Sequence, residues 1–275
     1  MIKIGYLGPK GTFSQEALEE YVGNAIHTAI DFGTISDILY AAEAGSIDEA
    51  VVPIENSIEG AVSTTMDMLA FDVDLKIKAE LLISINQHLL IKRGAQIEDI
   101  KCIISHPQPF GQCRNFIDAH FPNAVLKYSY STAEAASEVA GGEGDCAAIA
   151  SISAARVYGL DVAAKNIQDT CNNSTRFVVL SKESGKKSGF DKTSLVFSTE
   201  DKPGSLYRIL DIVNLWDINM TRIESRPAKS RLGKYIFFVD IEGHIEDEDV
   251  KDAITMIKRK TSFFKLLGSY PRYRK

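Results

Sequence analysis

A chain of 275 residues, 45% hydrophobic and 25% charged, carries enough apolar side chain for packed cores, and its length points to two domains of unequal size. Its net charge of −6, the lack of a basic stripe and the lack of an apolar run long enough to span a bilayer exclude nucleic acid and membrane as expected partners. Cys102, Cys113, Cys146 and Cys171 form no C-x-x-C pair and the histidines show no metal-ligand spacing, so a cytoplasmic protein with reduced thiols and neither metal nor cofactor is expected. The opening residues, Met1 to Gly8, lack the charged-then-apolar pattern of a signal peptide and run directly into a strand.

A strand over 2–7 leads into Gly8-Pro9-Lys10-Gly11, and Thr12-x-x-Gln15 is a capping-box pattern that opens a helix to about Val22. A strand, a glycine loop and a helix N-terminus together make a seat for an anion, although neither a Walker loop nor G-x-G-x-x-G is present. Further strands are expected over 25–30 and 49–54, with a helix over 34–44 between them that ends at Gly45. The third strand runs into Glu55-Asn56-Ser57 and then a helix to about Ala70, so these three residues are read either as ligand contacts or as that helix's cap.

Residues 75–92 are β-rich and read as one or two crossing strands. A strand over 101–105 carries Ser105-His106-Pro107-Gln108-Pro109-Phe110-Gly111-Gln112 at its end, then a helix to about His120, with Pro109 well placed near a helix start. A strand over 124–130 precedes Ser131-Thr132-Ala133-Glu134, a second capping box. A strand over 146–150, a helix over 151–158 and an extended stretch over 161–167 follow. Asn172-Asn173-Ser174-Thr175-Arg176-Phe177 then crowds polar groups at the mouth of a buried strand, Phe177 to Leu180.

Strand, polar loop and helix thus recur in two groups, the pattern of two α/β lobes around a cleft. Gly8–Ser14, Glu55–Gly60, Ser105–Gln112, Ser131–Thr132 and Asn172–Arg176 are expected to face it, and converging helix N-termini suit a small dicarboxylate. Residues 184–191 have a flexible linker's composition. Beyond them strands over 192–198, 218–226, 235–241 and 263–270 and helices over 205–215 and 246–260 give βαββαβ, a ferredoxin-like unit. Its first helix is expected to bury Leu206, Ile209, Leu210 and Val213.

The motifs Gly8-Pro9-x-Gly11-Thr12-Phe13-Ser14, Pro53-Ile54-Glu55-Asn56-Ser57, Ser105-His106-Pro107-Gln108-Pro109 with Gln112-Cys113, and Thr175-Arg176-Phe177 fall in the order found in one known family. With Gly204-Ser205-Leu206 and Glu224-Ser225-Arg226-Pro227 after them, the whole chain resembles the prephenate dehydratase family in its monofunctional form with a C-terminal ACT domain. That resemblance implies a two-lobed, periplasmic-binding-protein-like catalytic fold over about 1–183, with one lobe at about 1–75 and 173–183 and the other at about 76–172, and an ACT domain over 192–275. It implies conversion of prephenate to phenylpyruvate, with feedback inhibition by L-phenylalanine bound where the ACT domains of two subunits of a homodimer or homotetramer meet.

The resemblance carries Thr175 over as the key catalytic residue, with Glu55, Asn56, Ser105 and Gln112 in the active site. Gly11, Thr12, Ser57, Thr132, Arg176 and Phe177 are assigned to substrate binding. Gly204, Ser205, Leu206, Asn219, Glu224, Ser225, Arg226 and Pro227 are assigned to the effector. Gly204-Ser205-Leu206-Tyr207 departs from the commonest Gly-Ala-Leu-Val form. An arogenate dehydratase and a non-catalytic amino-acid sensor remain alternatives. The reaction forms an aromatic ring, so it needs help for the departing hydroxyl and a fixed carboxylate rather than a cofactor. Either Thr175 donates a hydrogen bond to that hydroxyl, or a protonated Glu55 supplies the proton.

Overall fold

The computed structural model describes residues 1–170, 172–228 and 235–274, so Cys171 lies outside the described residues. Two compact units emerge, one of residues 1–38, 51–62 and 81–177, the other of residues 39–50, 63–80 and 178–275.

The N-terminal half begins β1 (Ile2–Leu7), α1 (Phe13–Val22), β2 (His27–Phe32), α2 (Ile35–Glu43), β3 (Glu49–Asn56), β4 (Gly60–Ala61), α3 (Ser63–Phe71) and β5 (Lys76–Ser84). It continues β6 (His88–Ile91), β7 (Cys102–Ser105), α4 (Pro107–Gln112), α5 (Arg114–His120), β8 (Val125–Tyr128), α6 (Thr132–Gly141), β9 (Cys146–Ala150), α7 (Ile152–Tyr158), β10 (Asp161–Ala164) and β11 (Ser174–Ser181). One sheet has the order β2-β1-β3-β11-β5, with β4 beside β3; the other has the order β10-β6-β9-β7-β8. The crossing strands expected over 75–92 are therefore two, β5 in the first sheet and β6 in the second. The second sheet packs on both faces. Leu89, Ile103 and Ile149 meet Phe110, Cys113 and Ile117 on one side. Leu90, Ile104 and Ala148 meet Ala135, Val139 and Ala154 on the other. Strands buried on both faces need the near-continuous apolar runs seen in the sequence.

Local differences from expectation have identifiable causes. Asn56 to Gly60 does not cap a helix; it is the turn of a hairpin in which Glu55 pairs with Ala61 and Asn56 with Gly60, with Gly60 at φ +83°. The helix expected to about His120 is α5, and the segment before it also winds into a helix, α4; the two part at Cys113, whose buried side chain joins the apolar cluster and whose backbone leaves helical geometry at φ −118°, ψ 21°. Gln112 is thereby left at the end of α4.

In the second unit, β12 (Asp191–Ser198), α8 (Ser205–Leu215), β13 (Met220–Pro227), β14 (Tyr235–Glu242), α9 (Glu248–Lys260) and β15 (Phe263–Pro271) complete βαββαβ, with sheet order β13-β14-β12-β15. The core joins Leu195, Phe197, Val239 and Ile241 to Ile209, Ile212 and Val213 of α8 and to Val250, Ile254 and Ile257 of α9. Ile212 is buried beside Val213 on α8, whereas Leu210 and Leu206, expected there, are only partly buried. The segment before β12 is tied down, not free as its composition suggests. Gly185 is buried against Tyr270, Lys187 pairs with Asp247 at 2.5 Å, and the Asp191 carboxylate accepts from the backbone N–H groups of Ser188 and Gly189 at 2.9 and 2.8 Å.

Gly268, at φ +143°, lets β15 approach β5 so closely that a Cβ there would stand 2.4 Å from the Ile77 carbonyl oxygen. A methyl group cannot be admitted without moving backbone. Gly268→Ala should therefore lower unfolding stability by about 2 kcal/mol or more, read from the urea midpoint. An unchanged midpoint would contradict this packing.

Candidate functional site

Strands β3 and β11 are neighbours in the first sheet, and the site is built where β3 ends and β11 begins. Successive side chains on a strand point to opposite faces. Asn56 and Thr175 share one face and are hydrogen-bonded at 2.9 Å, whereas Glu55 and Arg176 share the other, with Arg176 Nη1 3.8 Å from Glu55 Oε2. Phe177, 2% exposed, returns to the core.

The Asn56 amide can be oriented in only one way. Its Oδ1 accepts from the backbone N–H groups of Ile58 and Glu59 at 2.9 and 3.0 Å, and a backbone N–H can only donate. Nδ2 must then face the other way. It donates to Thr175 Oγ1 at 2.9 Å and to Asn173 Oδ1 at 2.8 Å, with a longer 3.4 Å contact to the Ser174 carbonyl. Thr175 Oγ1 is thus an acceptor toward Asn56, and its own hydrogen is left for the pocket that Thr175 lines. The hairpin supplying those N–H groups is pinned to β11 by Ser57, whose Oγ accepts from Ser174 N and donates to the Asn172 carbonyl, both at 3.0 Å.

The pocket has a volume of about 390 Å³. Thr12, Asn56, Gln112, Thr132 and Thr175 of the expected site residues line it. Thr12 caps α1, accepting from Gln15 N and donating to the Leu7 carbonyl, and the Gln15 side chain accepts from Gly11 N at 2.7 Å. Ser131 caps α6 and accepts from Glu134 N at 3.0 Å. The first N–H groups of both helices lack intrahelical partners, so two positive helix ends flank the pocket. Among the described residues its lining includes no lysine or arginine, and Glu59 is its one carboxylate.

The other expected residues are not among its lining. Gly11, at φ +85°, packs against Ala154 of α7, and its carbonyl accepts from Ser151 Oγ at 2.9 Å. Ser105 is fully buried and donates to the Ile149 carbonyl at 2.8 Å. Glu55, Ser57, Arg176 and Phe177 are outside the pocket lining. His106 lines it, with Nδ1 3.5 Å from Gln108 N. Cys113, beside Gln112, is buried among apolar groups, which with the nearby Asp169 pushes its thiol up to about 12 and away from nucleophilic chemistry. Two buried polar lining residues lie outside the family motifs: Gln87, 2% exposed, and Asn173, 5% exposed, the latter within the polar stretch expected to face the cleft. Asn173 lies two residues before Thr175, the spacing that puts neighbours on one face of an extended chain.

In the second unit a cavity of about 760 Å³ is lined by Ser205 and Leu206 together with Phe71, Tyr235, Phe237 and Phe263. Gly204, at φ +78°, sits immediately before α8. Asn219, Glu224, Ser225, Arg226 and Pro227 are outside that lining. The Asn219 carbonyl accepts from Glu242 N, and Glu224 accepts from Arg222 at 2.7 Å. The Arg226 guanidinium is committed to α3, to Asp67 at 3.0 Å and Ser63 at 2.9 Å. Ser225 and Pro227 are exposed on β13, an edge strand.

Among the described residues no helix is long and apolar enough to cross a membrane, and no group of three or more His, Cys, Asp or Glu could hold a metal ion. Cys102, Cys113 and Cys146 are free thiols.

If Asn56 fixes the hydroxyl as this geometry requires, Asn56→Asp should lower turnover by roughly 10²-fold or more, because the carboxylate removes the Nδ2 donor and invites the Thr175 hydrogen back toward residue 56. Steady-state kinetics with a parallel thermal melt checks this. An active Asn56→Asp protein would remove Asn56 from the account.

The family model for prephenate dehydratase matches residues 4–185, and that for the ACT domain matches residues 193–255. A bifunctional chorismate mutase/prephenate dehydratase of Aquifex aeolicus is 42% identical over 271 residues, covering 98% of this chain and 74% of that protein. The crystal structure of a prephenate dehydratase from Arthrobacter aurescens in complex with L-Phe superposes with a TM-score of 0.90 at 38% identity, covering 98% of this chain and 90% of that one. A protein described as a novel type of quorum-quenching acylase superposes with a TM-score of 0.88 at 26% identity, covering 98% of both chains.

Proposed function

The chain belongs to the prephenate dehydratase family, and we propose from this that the pocket expels carbon dioxide and hydroxide from opposite carbons of the prephenate ring, with Thr175 as the hydrogen-bond donor to the departing hydroxyl. The observation that carries the proposal is the Asn56–Thr175 bond, which turns the one hydroxyl hydrogen into the pocket. The α1 and α6 N-termini suit the substrate carboxylates through backbone N–H groups. A described lining without lysine or arginine also fits the chemistry, since a fixed cation on the departing carboxylate would stabilise the ground state against loss of carbon dioxide. Thr12, Gln112 and Thr132 are read as carboxylate or ring contacts. Gly11, Ser57 and Ser105 are read as residues that shape the loops behind them.

Glu55 is the rival proton source. Its pairing with Arg176 on the face away from Thr175 supports the threonine. The acylase-described neighbour shares the architecture at lower identity than the two dehydratases, which favours dehydration as the reaction.

We divide the chain into a catalytic region over 1–183, a joining segment over 184–191 and an ACT domain over 192–275, and assign the protein to the cytoplasm as a homo-oligomer joined through its ACT domains. L-phenylalanine is the proposed effector, on the strength of the L-Phe-bound relative, and Gly204, Ser205 and Leu206 are its proposed contacts at the start of α8. Arg226 is read as a strut to α3, because its guanidinium is already engaged there.

Absorbance assays for phenylpyruvate test the reading. Thr175→Ala should lose at least about 10²-fold in kcat, while Glu55→Gln should stay within about 10-fold of the native enzyme. The reverse ranking would transfer the role to Glu55. Arogenate, assayed alongside, decides which compound the pocket prefers, and a chain inert to both would be a sensor. Ser205→Trp should raise the phenylalanine concentration for half-inhibition about 10-fold or more and leave uninhibited turnover within about 2-fold. Undiminished inhibition in that variant would move the effector elsewhere.

A further inference from the structure

We propose that Asn173 is a positioning residue that sets the polarity of Gln112, so that Gln112 presents its amide hydrogens, and not its carbonyl, to the bound substrate. This rests on the dehydratase reading of the pocket and extends it to a residue outside the motifs.

The orientation of Asn56 fixes that of Asn173 in turn. Asn56 Nδ2 is a donor, so the atom of Asn173 facing it at 2.8 Å must be Oδ1. The other half of the Asn173 amide, Nδ2, then faces Gln112 at 3.4 Å, and the atom receiving it must be Oε1. With Oε1 turned to Asn173, Nε2 is the half of the Gln112 amide left for the pocket, which Gln112 lines. One directional chain therefore starts at two backbone N–H groups and ends in two donors, the Thr175 hydroxyl and the Gln112 amide.

Asn173 is held to do this. It is 5% exposed, and its backbone carbonyl accepts from Ile85 N at 2.9 Å. Gln112 is held too, since its backbone carbonyl accepts from Asp169 N at 2.7 Å. An all-donor pair suits a substrate that brings carboxylates and a hydroxyl departing as an anion, whereas a Gln112 carbonyl aimed at the same groups would repel them. The side chain at 173 needs an acceptor on one end and a donor on the other, which an amide provides and a carboxylate does not.

Asn173→Asp is the discriminating change. It keeps shape and the acceptor toward Asn56 but replaces the donor toward Gln112 by a second acceptor, so the Gln112 amide turns over. The experiment is a double-mutant cycle on the full-length enzyme with prephenate, using Asn173→Asp, Gln112→Ala and the double variant, with melting temperatures in parallel. If Asn173 acts through Gln112, Asn173→Asp should cost about 30-fold or more in kcat/KM in the native background and less than about 3-fold once Gln112 is alanine. Equal costs in the two backgrounds, which direct repulsion of the substrate or a merely structural role would give, overturn the proposal.

A pH profile supplies the second readout. Protonating the carboxylate introduced by Asn173→Asp restores a donor toward Gln112, so the activity of that variant should climb as the pH is lowered, whereas Asn173→Ala should show no such rise. An Asn173→Asp profile parallel to that of Asn173→Ala also overturns the proposal. If Gln112→Ala is too slow to assay, phenylpyruvate affinity by calorimetry replaces kcat/KM in the same cycle, with the same non-additivity expected. A native enzyme that leaves prephenate untouched would sink the dehydratase reading, and this proposal with it; an active native enzyme with an additive cycle would sink this proposal alone.

Discussion

Two backbone N–H groups, those of Ile58 and Glu59, decide how the polar side chains of the pocket can be oriented. They belong to a hairpin turn, and a turn N–H can only donate, so the Asn56 amide has no freedom to flip. Everything downstream inherits that choice: Thr175 accepts from Asn56, and its hydroxyl hydrogen goes to the pocket. The bonds are ordinary neutral ones of about 1 kcal/mol each in net stability. Their value is directional. An alcohol that could rotate to either role has been left with one, before any substrate arrives, and such pre-orientation is what lets a weak acid assist a leaving group without reorganising at the moment of reaction.

The fold serves this arrangement by putting chain segments far apart in sequence side by side. Asn56 and Thr175 are 119 residues apart, and meet because β11 returns to lie beside β3 after the second sheet has been built. Ser57 locks the same hairpin to the residues before β11 through two 3.0 Å bonds, so the turn that orients Asn56 and the strand that carries Thr175 are fixed together. In the second unit, Arg226 holds α3, the helix that begins at Ser63, directly after the pocket residue Val62.

Much of this was legible in the sequence wherever a local rule applied. The capping boxes Thr12-x-x-Gln15 and Ser131-x-x-Glu134 do open α1 and α6, although each returning side chain bonds the N–H one residue before the cap, at Gly11 and Tyr130. Helix α8 spans the expected residues. The alternation of a strand, applied strictly, already separates Asn56 from Glu55 and Thr175 from Arg176. Motif reading groups them because they are adjacent in sequence, which is the one relation that forbids a shared face. Asn173 lies in the polar stretch expected to face the cleft, yet it carried no assigned role, because it stands outside the Thr-Arg-Phe motif although only two residues from Thr175. The break at Cys113 and the docking of Gly185 on Tyr270 and of Lys187 on Asp247 depend on tertiary partners, and no local pattern announces those. The hairpin at Asn56–Gly60 is local, an Asn side chain bonding the next N–H groups before a positive-φ glycine, a pattern that also reads as a helix cap.

The central claim is most directly tested by a crystal structure of the enzyme with a ring-saturated prephenate analogue that keeps both carboxylates and the ring hydroxyl. The account predicts the ring hydroxyl oxygen about 2.7–3 Å from Thr175 Oγ1, with the Asn56–Thr175 bond intact and Glu55 still paired with Arg176. A ring hydroxyl bonded instead to the Glu55 carboxyl group, or a Thr175 hydroxyl turned back to donate to residue 56, would contradict it.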